Sequence, residues 1–137
     1  MIHPDQMFVL ILEAYPEFSS HWNEFYDEWS EEPVDFPYYL LISDLVRECS
    51  RLLVAGHEAE IRKIFDVVER WHLEGDPYVK EAAVIGFVED LQNTNLHSGT
   101  SPDDFIQFLG PEGLYWWPKV ERFWEHGELI VDDRQVS

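Results

Sequence analysis

Apolar residues recur every three or four positions along most of the chain, the spacing that gathers them on one side of an α-helix. Phe8, Ile11 and Leu12 mark a short first helix over about 5–14. Tyr15-Pro16 ends it, because a residue before proline avoids helical geometry. Phe18, Trp22, Phe25 and Trp29 then repeat at i, i+4, i+7 and i+11, predicting a second helix over about 17–29 with an aromatic stripe turned inward. A third helix, about 38–54, carries a broad arc of Tyr39, Leu41, Ile42, Leu45, Val46, Cys49, Leu52 and Leu53, and Gly56 ends it. A fourth, about 57–73, carries Ile61, Ile64, Phe65, Val68 and Trp71.

The stretch from Gly75 to Asn93 differs from these in having two apolar faces. Gly75 ends the preceding helix, Asp76 is suited to cap the next, and Pro77 to occupy its first turn. Val84, Phe87, Val88 and Leu91 form a face of large side chains, and Val79, Ala82, Ala83 and Gly86 a face of small ones. Such a helix is buried on both sides, and its small face lets a neighbour come close, which accounts for Gly86 despite a helix cost of ~1 kcal/mol. The pattern predicts a single all-α domain over 1–137, a compact bundle of about six or seven helices around residues 77–91. The short turns between the third, fourth and central helices are compatible with a short HEAT-like stack, although no repeat period appears.

The polar run Gln92–Thr100 reads as the mobile segment of the chain. Ser101-Pro102-Asp103-Asp104 starts a short helix, which Gly110-Pro111 breaks. A last helix is expected to restart near Pro118, with Val120, Phe123 and Trp124 inward and Gly127 as its stop. For the tail, the pattern is compatible with fraying or with a short extended contact at Leu129-Ile130-Val131.

Charge changes this picture more than composition does. Six Trp and nine Phe supply a core, yet the net charge is −19, and no Lys or Arg precedes Arg47 while ten acidic residues do. That surface repels nucleic acid and anionic membrane and attracts basic proteins. The second helix sets Glu17, Glu24, Asp27, Glu28 and Glu31 opposite its aromatic stripe. Glu24 and Glu28 stand at i and i+4, where like charges weaken a helix. A solvated face explains this pattern in bland terms; a basic partner explains it in specific ones. The acidic patch is assigned to Glu24, Asp27, Glu28, Glu31, Glu32 and Asp35 with Tyr26 at its edge, and a second patch to Asp103 and Asp104. Arg47 and Arg51 are expected to pair with Asp44 and Glu48 on their own helix. One cysteine, Cys49, forbids an internal disulfide, and no apolar stretch approaches a membrane span. A cytoplasmic protein is expected.

Catalytic chemistry finds little purchase. Glu69 and His72 form one E-x-x-H pair, half of a dimetal carboxylate site whose second half is missing, and His72 is read instead as a helix-end cation. The other histidines are scattered, one cysteine cannot make a thiolate zinc site, and Cys49 sits among apolar neighbours. Glu89 and Asp90 point about 100° apart on a helix and are read as bonding loop amides. Neither an enzyme nor a cofactor or metal site is expected.

Three segments, YPEFSSHWNEFYDE, IRKIFDVVERWHLEGDPYVKEAAVIGFVEDLQN and LYWWPKVERFW, occur in an order that resembles a group of small all-helical bacterial proteins of uncharacterised activity. Similar small acidic proteins are frequent among the immunity proteins of polymorphic toxin systems. The resemblance implies no catalytic residues. It implies a protein that binds and neutralises a cognate toxin, with a basic toxin surface as the partner. The alternatives are a helical scaffold or regulatory module for a basic protein, and a metal-dependent hydrolase whose ligands converge only in the fold.

Overall fold

The computed structural model describes residues 1–31 and 35–134. Helix α1 (Pro4–Ala14) is followed by a 3-10 turn, Pro16–Phe18, that runs into α2 (Ser19–Trp29). Then come α3 (Tyr38–Val54) and α4 (Glu58–Glu74). The central helix, α5 (residues 77–91), consists of Pro77–Glu81, a π-helical stretch Ala82–Val88, and Glu89–Leu91. Two 3-10 segments, Thr94–Leu96 and Pro102–Phe108, lead to α6 (Pro111–His126). No β-strand occurs among the described residues, so the protein is all-α. Among the described residues no helix is long and apolar enough to cross a membrane.

Both faces of α5 are buried. Val79, Ala82, Ala83, Phe87, Val88 and Leu91 have no exposed surface to speak of, and the helix packs against α3, α4 and α6. The small face meets α3: a Cβ placed on Gly86 would lie 3.1 Å from Ile42 Cδ1 and 3.2 Å from Tyr39 Cε1. Asp76 caps the helix by accepting a hydrogen bond from the Val79 amide at 2.9 Å. The π-helical turns were not foreseen, since a wider turn leaves the identity of the apolar residues unchanged and alters only their angular spacing.

The start of the chain is pinned to the turn before α5. The Ile2 amide donates to Glu74 O at 2.7 Å and the Asp76 amide to Ile2 O at 2.8 Å, an isolated parallel bridge beside Gly75. This brings α1 against α4, where Phe8 packs on Trp71 with ring centroids 5.8 Å apart.

Two expectations about the C-terminal third need correction. First, α6 does not restart at Pro118 but begins at Pro111 and runs through that proline. Proline removes one backbone donor; Pro118 and Leu114, whose carbonyl loses that partner, both lie at the exposed side of the helix, where that carbonyl is open to solvent rather than sealed in the core. Second, Val120 is buried, but Phe123 and Trp124 are exposed, because the last turns of α6 extend past the core. Gly127, with φ +68°, ends the helix in the left-handed region. The tail folds back rather than fraying at once. Asp133 accepts from Lys119 Nζ at 2.9 Å and from Tyr115 Oη at 2.7 Å, and the Arg134 guanidinium bonds Glu112 and stacks 3.7 Å from the Tyr115 ring centre.

The Gln92–Thr100 segment is likewise tied down. His97 Nε2 lies 2.7 Å from the Leu91 carbonyl, which can only accept, so Nε2 carries the proton. Nδ1 then accepts from Thr100 Oγ1 at 2.8 Å, and Thr100 is 2.6 Å from the buried Ser50 hydroxyl.

Asp90 does not bond loop amides through its side chain. Its carboxylate accepts from Ser43 Oγ at 2.7 Å, tying α5 to α3. Burial pushes the Asp90 carboxyl up to about 6, against the Ser43 hydrogen bond and with Glu89 adding repulsion. The folded protein thus keeps a proton that the unfolded chain, with an ordinary carboxyl near ~4, gives up. Stability from this group is full below about pH 4 and is lost as pH rises through about 6. Asp90→Asn keeps an acceptor for Ser43 and removes the charge. It should be more stable than the parent by about 1 kcal/mol near neutral pH, a figure reduced for the group's partial exposure. The gain should vanish near pH 3, as urea unfolding at the two pH values would show.

Candidate protein-binding surface

Helix α2 positions the acidic residues by anchoring its other side. Phe18 and Phe25 are buried and Trp22 and Trp29 half-buried. Phe8 meets Phe18 and Trp22 at centroid distances of 6.2 and 6.1 Å, and Phe36 meets Trp22 and Phe25 at 5.8 and 5.5 Å. Each aromatic pair adds ~0.5–1.5 kcal/mol beyond its burial, which holds the orientation of α2. Helical geometry then sends Glu24, Asp27 and Glu28 to solvent, and all three are exposed, as are Glu31, in the turn after the helix, and Asp35. None of the five forms an ion pair among the described residues. Tyr26 is 49% exposed while touching Trp22 and Phe36, an aromatic edge beside the acids. Glu32 lies outside the described residues.

Sequence spacing did not show that Arg47 of α3 lines the same groove as Glu24 and Glu28, a cavity of about 350 Å³ between α2 and α3. Its guanidinium is taken by Asp44 at 3.0 Å, and Asp44 also receives His21 at 2.9 Å. One turn further on, Arg51 bonds Glu48 at 2.7 Å, as does Tyr15 Oη at 2.6 Å. Burial alone would raise the Glu48 carboxyl, but the Arg51 and Tyr15 hydrogen bonds outweigh it and hold it below the usual range. Both arginines are thus paired within α3.

Asp103 and Asp104 do not join the α2 patch. Asp104 accepts from the Ser101 amide at 2.8 Å and is part of a helix cap. Asp103 is exposed and lines a separate pocket of about 320 Å³ with Gln92, Trp117, Glu121, Trp124 and Glu125. The spacing of Trp117, Glu121, Trp124 and Glu125 could have revealed this pocket, had α6 been read as one helix from Pro111.

The E-x-x-H pair has a structural explanation. Glu69 accepts from the backbone amides of Glu112 and Gly113 at 2.7 and 3.1 Å, capping α6 from α4. Burial pushes His72 down to about 4, with Glu112 pulling it up and Arg134 pushing it down. His72 is therefore neutral at ordinary pH and does not act as a helix-end cation. Cys49 is fully buried, and burial raises its thiol. Among the described residues no group of three or more His, Cys, Asp or Glu side chains could hold a metal ion.

Fold and surface together define an all-helical protein whose aromatic residues are largely drawn inward and whose unpaired acids face out along α2. The chain belongs to a family described as a domain of unknown function (DUF7674), whose model matches residues 8–125. No curated protein and no solved structure matches it.

Proposed function

We propose that this protein is an immunity protein, one that neutralises a bacterial toxin by stoichiometric binding rather than by catalysis. The observation that carries this reading is the row of exposed, unpaired carboxylates Glu24, Asp27 and Glu28 on α2 and Glu31 in the turn that follows it, beside the half-exposed Tyr26. Like charges this close repel one another, and a basic partner relieves that repulsion. A toxin that holds phosphates needs a basic active site, which such a surface can occupy. Charge then governs encounter and the aromatic edge supplies an anchor.

The test pairs the protein with the product of the neighbouring gene. Wild type is expected to form a complex and to protect cells co-expressing that product. Changing Glu24, Asp27, Glu28 and Glu31 together to Lys should slow association by roughly tenfold or more at low salt, and abolish protection. The variant should stay folded, since these side chains face solvent. Absence of both complex and protection with wild type would overturn the immunity reading. Full protection by the four-fold reversal would move the interface away from α2.

A further inference from the structure

After Gly127 turns the chain, residues 128–134 run back along α6, and little apolar surface holds them there. Ile130 packs on the core, but Leu129 is 85% exposed and Val131 56%. The hold is polar. Glu128 pairs with Arg122 and Asp133 with Lys119. The Arg134 guanidinium grips both carboxylate oxygens of Glu112, bonds Asp132, and lies over the rings of Tyr115 and Trp116. Surface pairs of this kind are individually worth little. The segment is a strap, clipped to the start of α6 by the Glu112–Arg134 pair.

Beside the clip, on α4, is His72. It is 6% exposed and forms no hydrogen bond or ion pair among the described residues, unlike His3, His21, His97 and His126. Two charges act on it, and they are the two halves of the clip: Glu112 favours its proton and Arg134 opposes it. The other charged groups near this end of α4 are engaged elsewhere. Glu69 holds the Glu112 and Gly113 amides, Arg70 pairs with Glu74, and His3, from the segment that pins the chain start, pairs with Asp76.

We propose that His72 is a proton sensor for the strap: a proton on its imidazole draws Glu112 away from Arg134 and releases residues 128–134 from α6, uncovering Tyr115, Trp116 and Lys119. With the strap in place, the buried imidazole meets the Arg134 charge while Glu112 is taken. With the strap away, that charge is gone and Glu112 is free to be the counter-ion. Docking therefore lowers the proton affinity of His72, and by linkage a proton on His72 weakens docking by the same factor. The sign follows. Docking is at full strength above the ordinary imidazole value near ~6.5, where His72 is neutral with or without the strap, and is lost as pH falls through the docked value of about 4. Asp132, Asp133 and His126 do not mimic this response between pH 7 and pH 5. Asp132 is held below the usual carboxylate range by its bond from Arg134, and Asp133 by those from Tyr115 and Lys119, so both stay charged. His126 is exposed at the end of α6, and a proton there would add a cation beside an acidic segment and tighten it.

The experiment measures amide hydrogen exchange and histidine titration by NMR on the full-length, isotope-labelled protein. The Asp133 amide, bonded to Tyr115 Oη at 3.1 Å, exchanges when the strap opens, so its protection reads the closed-to-open ratio. Corrected for the intrinsic pH dependence of exchange, that protection should fall by roughly threefold to tenfold from pH 7 to pH 5. The Phe87 and Val88 amides of α5 should keep theirs. Arg134→Gln, at an exposed site, should fold normally and lose most of the Asp133 protection at pH 7. It should also raise the His72 titration by roughly half a pH unit or more. His72→Gln should give the same Asp133 protection at both pH values. Unchanged Asp133 protection in wild type between pH 7 and pH 5, or an unchanged His72 titration in Arg134→Gln, would overturn the proposal. So would a folded His72→Gln protein that keeps the wild-type pH response. If His72→Gln does not fold, the wild-type and Arg134→Gln measurements decide by themselves.

Discussion

Glu69→Ala should destabilise the protein by about 3 kcal/mol, the loss of two hydrogen bonds to a charged acceptor. The Glu69 carboxylate accepts from the first free amides of α6, so its removal leaves the helix start without a cap and loosens the joint between α4 and α6. Gly110 provides an internal check. A Cβ there would come within 2.6 Å of the Glu69 carboxyl carbon, while its φ of −79° is open to any residue. Space, and not backbone freedom, therefore explains the glycine. Gly110→Ala should be costly in the wild type and nearly free once Glu69 is alanine, so a double-mutant cycle should give an interaction energy of roughly 1 kcal/mol or more. Additive single effects, measured by urea unfolding, would show that the carboxylate does not sit over Gly110.

Gly86→Leu should cost about 3 kcal/mol, because the small face of α5 has no room for it. The contacts already close to a Cβ at this position are Ile42 and Tyr39 of α3, so a leucine must push the two helices apart or distort a rotamer. Gly86→Ala is the graded control. Its Cβ needs a few tenths of an ångström of give from two side-chain ends, while the helix gains up to ~1 kcal/mol in propensity. The alanine variant should therefore stay within about 1 kcal/mol of wild type. An unchanged denaturation midpoint for the leucine variant would mean that this face is open.

The central helix was legible in the sequence because it announces itself twice: by caps at Gly75, Asp76 and Pro77, and by apolar residues on two faces. The α2 acids were legible as an outward face because the aromatic stripe opposite them is unbroken. Three things were not. Pro118 looks like a start, and only the exposure of its side of the helix shows how a helix passes through it. The Trp117–Glu125 face disappears once the helix is begun at Pro118, since its first residue is then lost. Arg47 sits twenty-three residues after Glu24 in sequence, and only packing brings it to the same groove. The role of Glu69 is hidden for the same reason. Its partners are backbone amides more than forty residues away, and a backbone amide carries no sequence signal.

The pin at Ile2 has a consequence for synthesis. Its hydrogen-bond partners, Glu74 and Asp76, leave the ribosome about 70 residues after it, which at ~5–20 residues per second is on the order of ten seconds. During that interval Phe8 can meet Phe18 and Trp22, which follow closely, but not Trp71. Met7, Phe8 and Ile11, all buried in the finished protein, must wait for a surface that does not yet exist. Trp22 of α2, with Phe18 just before it, can thus give the nascent first helix an early, partial cover, and the ten acids that precede Arg47 leave this aromatic-rich segment strongly charged while it waits.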